Sequence, residues 1–171
     1  LIEPARRLIA QLPVRLTSPI VVDFAVLGKG PGGDVHAATD LRRRRIVLSE
    51  ELRAEDEECR RILVHELFHF AWARLGNPRR WDWERLLTAE MQRRTRGELG
   101  WSAEWRKRLL RACDWEQRTR RWRDYACESF CDSGAWRWSG VPNHDEFTLA
   151  LKPREQRKQW WDQAALTGFR L

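Results

Sequence analysis

The chain has 171 residues, 42% of them hydrophobic and 33% charged, which is enough apolar material for a packed core and argues against simple disorder. No apolar run reaches the roughly 20 residues of a membrane helix; the longest, Ile62 to Leu75, is interrupted by His65, Glu66, His69 and Arg74. The formal charge of +7 is carried almost wholly by arginine, and it is local: residues 77–123 hold 14 basic and 7 acidic side chains, while the remainder balances.

In chain order, Glu3 to Gln11 reads as a short helix stopped near Pro13. Its charged residues Glu3, Arg6 and Arg7 argue against a secretory signal, although the chain starts on Leu1 rather than Met, which leaves a trimmed leader open. Pro19 to Leu27, rich in β-branched residues, predicts a strand; Gly28 to Gly33 a turn; Val35 to Ala38 a second strand; Arg45 to Ser49 a third. Connections too short for helical crossovers suggest an antiparallel sheet. From Ala54 acidic residues open a helix that stops at Gly76 and Pro78, and its apolar residues lie nearly all round between Ile62 and Trp72, so it should be central and buried. Further helices are expected over Trp81–Arg94, Ser102–Cys113, Trp115–Trp138 and Pro153–Ala165, with an extended piece at Phe147–Leu151. The fold class read from this is α+β, predominantly helical, with a small antiparallel N-terminal sheet on a central helix. Residues 1–171 read as one domain, in which 77–123 is a basic, Trp-rich helical insertion.

Cys59, Cys113, Cys127 and Cys131 show no CxxC pair and no dense disulfide framework, so they read as reduced thiols of a cytoplasmic protein. On the central helix stands His65-Glu66-Leu67-Phe68-His69. The two histidines, four apart, project from one face and can grip one metal ion, and Glu66 beside them can reach a water on that metal. Zinc needs a third protein ligand. Trp72 and Leu75 stand where a metzincin would carry Gly and His, and Cys59 lies on the same helix, six residues before His65. The best remaining candidate is Glu128, in an apolar helix where an acid should be costly unless it faces a metal. Asp132, one turn on, can accept the free ring N–H of a ligating histidine. Cys127 and Cys131 could bind zinc in principle, but they would flank Glu128, and core packing is the preferred reading. His36 and His144 compete less well as ligands.

The pattern HExxH followed by ExxxD resembles the gluzincin metallopeptidases, the thermolysin-like group; the small size and late Glu-bearing helix also resemble the compact ImmA/IrrE type. The resemblance covers two short motifs and their order. It implies one Zn²⁺ held by His65, His69 and Glu128, Glu66 as general base toward a peptide or protein substrate, Asp132 supporting the ligands, and Tyr125 or His144 as oxyanion stabiliser. It also implies hydrolysis of peptide bonds, with substrate added as a strand at the sheet edge. Cys127 departs from the group's usual Asn, and the gap from His69 to Glu128 is long.

The basic segment holds six of the 11 tryptophans, Trp81, Trp83, Trp101, Trp105, Trp115 and Trp122. Arginine for phosphate and tryptophan for stacking suit nucleic acid. Interleaved acids make the same pattern suit solvated helix faces with buried indoles, or a lid over the cleft. The alternative to an enzyme is a zinc-containing binding or regulatory module that engages nucleic acid or an acidic partner through this segment.

Overall fold

The computed structural model describes residues 8–30 and 33–171. Of the expected first helix, residues 3–7 lie outside the described residues and 8–11 are helical; within the Gly-rich turn, 31 and 32 also lie outside. The strands are β1 (Val14–Arg15), β2 (Val21–Ala25), β3 (Lys29–Gly30), β4 (Gly33–Asp34), β5 (Ala37–Asp40) and β6 (Arg45–Ser49). A 3₁₀ turn, Glu50–Ala54, leads into α1 (Asp56–Arg74), followed by α2 (Asn77–Gln92), α3 (Trp101–Arg108), α4 (Ala112–Glu116), α5 (Arg120–Trp138), α6 (Leu151–Ala165) and β7 (Phe169–Arg170). The protein is therefore mainly helical with a small sheet, an α+β arrangement.

The sheet is mixed rather than antiparallel. Its order is β2-β6-β5: β6 pairs parallel with β2, Val22 opposite Ile46, and antiparallel with β5, Thr39 opposite Ile46. No helix is needed for the parallel crossover. Residues 26–44 make it through the β3–β4 hairpin and β5, so β6 returns in the direction of β2. A second ladder joins β1 to β7 in parallel, Val14 opposite Phe169.

Helix α1 opens with Asp56, Glu57 and Glu58 and ends at Arg74, charges that suit the helix dipole at each end. It packs on α5 along one side and meets β5 and β6 on the other. Gly134 of α5 permits the close crossing: a Cβ there would lie 2.9 Å from the Phe68 ring. Around Phe68 an aromatic core forms, with Phe130, Trp138, Trp161 and Phe169 within ring contact of it. Trp83 and Trp122 from the basic segment are fully buried in the same core, whereas Trp81 and Trp101 are exposed.

The expected helix over Ser102–Cys113 is two helices. Asp114 accepts the backbone N–H of Arg111 at 2.8 Å, which starts a new helix there. Phe147–Leu151 forms no strand; Thr148 and Leu149 donate backbone N–H groups to the Glu98 carbonyl. Among the described residues no helix is long and apolar enough to cross a membrane.

Candidate metal centre

His65 and His69 lie on the α1 face turned toward α5, their ring centroids 5.0 Å apart. The third residue that closes a ligand set is Cys131: one ligand atom from each of His65, His69 and Cys131 lies within 4.8 Å of the others. Cys131 and His65 are buried, and His69 is partly so. Two imidazoles and a thiol form a borderline-soft donor set that suits zinc. Cys131 also belongs to the hydrophobic core between α1 and α5.

This corrects the gluzincin reading. That group requires a carboxylate as third ligand, and here a thiol closes the set. The peptidase, hydrolase and protease assignments fall with it. Thiolate donation also lowers the Lewis acidity that a hydrolytic metal needs, and a Cys-containing set is more typical of structural or regulatory sites. Glu66, expected as general base, is hydrogen-bonded at its carboxylate by the Thr39 hydroxyl of β5, at 2.6 Å. Core packing is not the whole role of Cys131: positions 128, 131 and 132 follow one another at i, i+3 and i+4, so they share a helix face. That spacing was the available signal.

The other expected residues fall as follows. Glu128 lies beside the histidines, its Oε2 3.3 Å from His65 Nε2 and 3.9 Å from His69 Nε2, while its Oε1 takes Arg106 Nη2 of α3 at 3.1 Å. Asp132 Oδ1 is 2.7 Å from His65 Nδ1, and Asp132 Oδ2 accepts the Ala103 backbone N–H at 2.8 Å. Gly100 leaves room for this carboxylate, since a Cβ there would come 2.3 Å from its Cγ. Tyr125 is turned away from the cleft and donates its hydroxyl to Glu98 at 2.5 Å. His144 pairs with Glu58 at 3.2 Å and lines a neighbouring acidic cavity. His36 lines both that cavity and the cleft over the histidines, outside the ligand set.

The cleft over the histidines has a volume of about 290 Å³ and is walled by β5 on one side and by Trp101, Trp105 and Arg106 on the other. Its electrostatics favour a cation. Burial opposes charge on His65, but Asp132 outweighs it and raises the imidazole well above its ordinary value. Burial likewise opposes charge on His69, yet the Cys127 thiol and Glu66 hold it up at about 8. Burial would raise Glu128; the hydrogen bond from His65 and the charges of His69 and Arg106 hold it at about 2. Burial pushes the Cys131 thiol well up, while the hydrogen bond from Cys131 holds Cys127 down at about 6. Without a metal the acids are thus balanced by protons on the histidines, and a divalent ion must displace them.

The residues present therefore fit a zinc ion by donor chemistry and by burial. No family model matches the chain, and no curated protein or solved structure matches it either.

Proposed function

We propose that the protein is a zinc-binding module whose metal centre serves structure or regulation, with His65, His69 and Cys131 as protein ligands. The carrying observation is the convergence of two α1 imidazoles and an α5 thiol within 4.8 Å. One zinc ion bound there would supply a cross-link between the two long helices, neutralise Glu128 and fix the tautomers of both histidines. Asp132 holds the His65 ring by its Nδ1–H, which leaves Nε2 for the ion. Arg106 and the Ala103 backbone N–H tie Glu128 and Asp132 to α3, so occupancy of the site also sets the position of that helix. A reducing compartment such as the cytoplasm suits this donor set, because Cys131 must stay a thiol.

Metal analysis of the purified protein tests the reading. One equivalent of zinc is expected, lost on His65→Ala or His69→Ala and retained on Glu66→Gln. Peptide cleavage by the wild type that disappears in Glu66→Gln would overturn the assignment, as would a protein that never retains metal.

A further inference from the structure

Outside the metal centre, residues 94–97 together with α3 and α4 enclose a second cleft of about 470 Å³. Met91 and half-buried Trp115 give it apolar walls, and Arg94, Arg96 and Arg108 bring guanidinium groups to it. Arg108 is engaged by Glu104. The side chains of Arg94 and Arg96 make no hydrogen bond or ion pair with any described residue.

Arg94 carries a second anomaly. It follows α2 in the left-handed region, φ 56°, where Thr95 N–H reaches back to the Glu90 carbonyl at 3.0 Å and Arg94 N–H to that of Met91 at 2.9 Å. Glycine is the favoured residue at such a helix end. Among the described residues three non-glycine positions have positive φ, and all are arginine. Arg44 uses its side chain on the Ser18 and Pro19 carbonyls, and Arg118 uses its own on Glu84. Arg94 alone combines a strained backbone with an unengaged guanidinium. The left-handed turn ends α2 and leaves the Arg94 side chain in the lining of the cleft.

Positive charge continues in the chain beyond the cleft: Arg111 precedes α4, the helix that carries Trp115, and Arg120, Arg121 and Arg123 stand in the first turn of α5. One small anion would leave the indole wall unused, and an acidic peptide brings a stackable ring only where it carries an aromatic residue, whereas every nucleotide joins a phosphate to a planar base. We propose that the cleft binds single-stranded nucleic acid, with a base against Trp115 and Met91, phosphates on Arg94 and Arg96, and the backbone continuing toward Arg111 and Arg121. The inference is independent of the metal centre.

The test is fluorescence anisotropy of a labelled oligothymidylate of about 12 nucleotides, a length within the usual range for single-strand sites. Binding is expected at low salt and should weaken as salt rises. Arg94→Gly/Arg96→Ala should reduce affinity at least tenfold and flatten the slope of log K against log salt by about 1.4, at roughly 0.7 per phosphate contact. Its melting temperature should equal or exceed that of the wild type, because glycine relieves the backbone at position 94. Trp115→Leu should cost about tenfold, with unchanged circular dichroism confirming the fold. No binding at low salt, equal binding by the double variant, or heparin binding as tight as oligothymidylate and indifferent to Trp115 would each overturn the proposal.

Discussion

Replacing Arg157 with alanine is expected to remove about 3–5 kcal/mol of folding stability, the cost of leaving buried acids without their counter-charge. Arg157 is fully buried on α6. Its Nη2 meets Glu90 Oε2 of α2 at 2.7 Å, its Nη1 meets Glu98 Oε2 at 2.7 Å, and Ser133 of α5 accepts from Nη1 at 3.1 Å. Lys107 of α3 completes the balance on Glu98 at 2.9 Å, and Tyr125 donates to the same carboxylate. Four helices and the 98 segment meet in this one network, which has two positive and two negative charges. The expected loss is a large part of the roughly 5–15 kcal/mol that a domain has. Urea denaturation measures it; a loss under about 1 kcal/mol would show that the network does not hold the helices together. Replacing the whole charged set, Arg157→Met and Lys107→Met with Glu90→Gln and Glu98→Gln, should recover much of the loss, because uncharged partners need no counter-ion.

The same network fixes behaviour in acid. Burial would raise Glu98, but the charges of Arg157 and Lys107 hold it down at about 2. Its contribution is therefore fully present above the ordinary carboxylate range and is lost as pH falls through about 2. In Arg157→Ala that protection goes, and acid unfolding should move to higher pH.

The second large effect is expected from metal removal. With free zinc at about a thousand times its dissociation constant, binding adds roughly 4 kcal/mol, and a chelator should take it away. The size should depend on pH with a definite sign. Without metal, His69 is raised to about 8 from an ordinary 6.5, so its protonation stabilises the metal-free fold below 6.5 and that help is lost as pH rises through about 8. Zinc needs the neutral ring. The gap between loaded and chelated protein should therefore be widest above about pH 8 and narrow toward pH 6, which thermal melts in paired buffers would follow. A gap that widens toward pH 6 would contradict these ligands.

Local patterns were legible in the sequence, and long-range pairings were not. β6 spans Arg45–Ser49 as the β-branched run indicates, and α1, Asp56–Arg74, lies within two residues of the expected start at Ala54 and stop at Gly76. Strand direction was not legible, because the choice between parallel and antiparallel depends on where residues 26–44 travel. The His65–His69 pair follows from helical spacing alone. Helical spacing puts Cys131 on the face of Glu128 and Asp132, but a buried helical cysteine usually packs, and its place in the ligand set depends on how α1 and α5 cross at Phe68 and Gly134. Tyr125 sits three residues before Glu128 and looks like a cleft residue on a helical wheel. Its hydroxyl instead answers Glu98, which meets α6 only through Arg157, and such partners leave no local signature.

X-ray absorption at the zinc edge tests the central claim most directly. The account predicts one sulfur scatterer at about 2.3 Å from the metal together with nitrogen at about 2.0–2.1 Å. The sulfur shell should vanish in Cys131→Ser and persist in Cys127→Ser. A spectrum with nitrogen and oxygen alone, or a sulfur shell untouched by Cys131→Ser, would contradict a metal centre held by His65, His69 and Cys131.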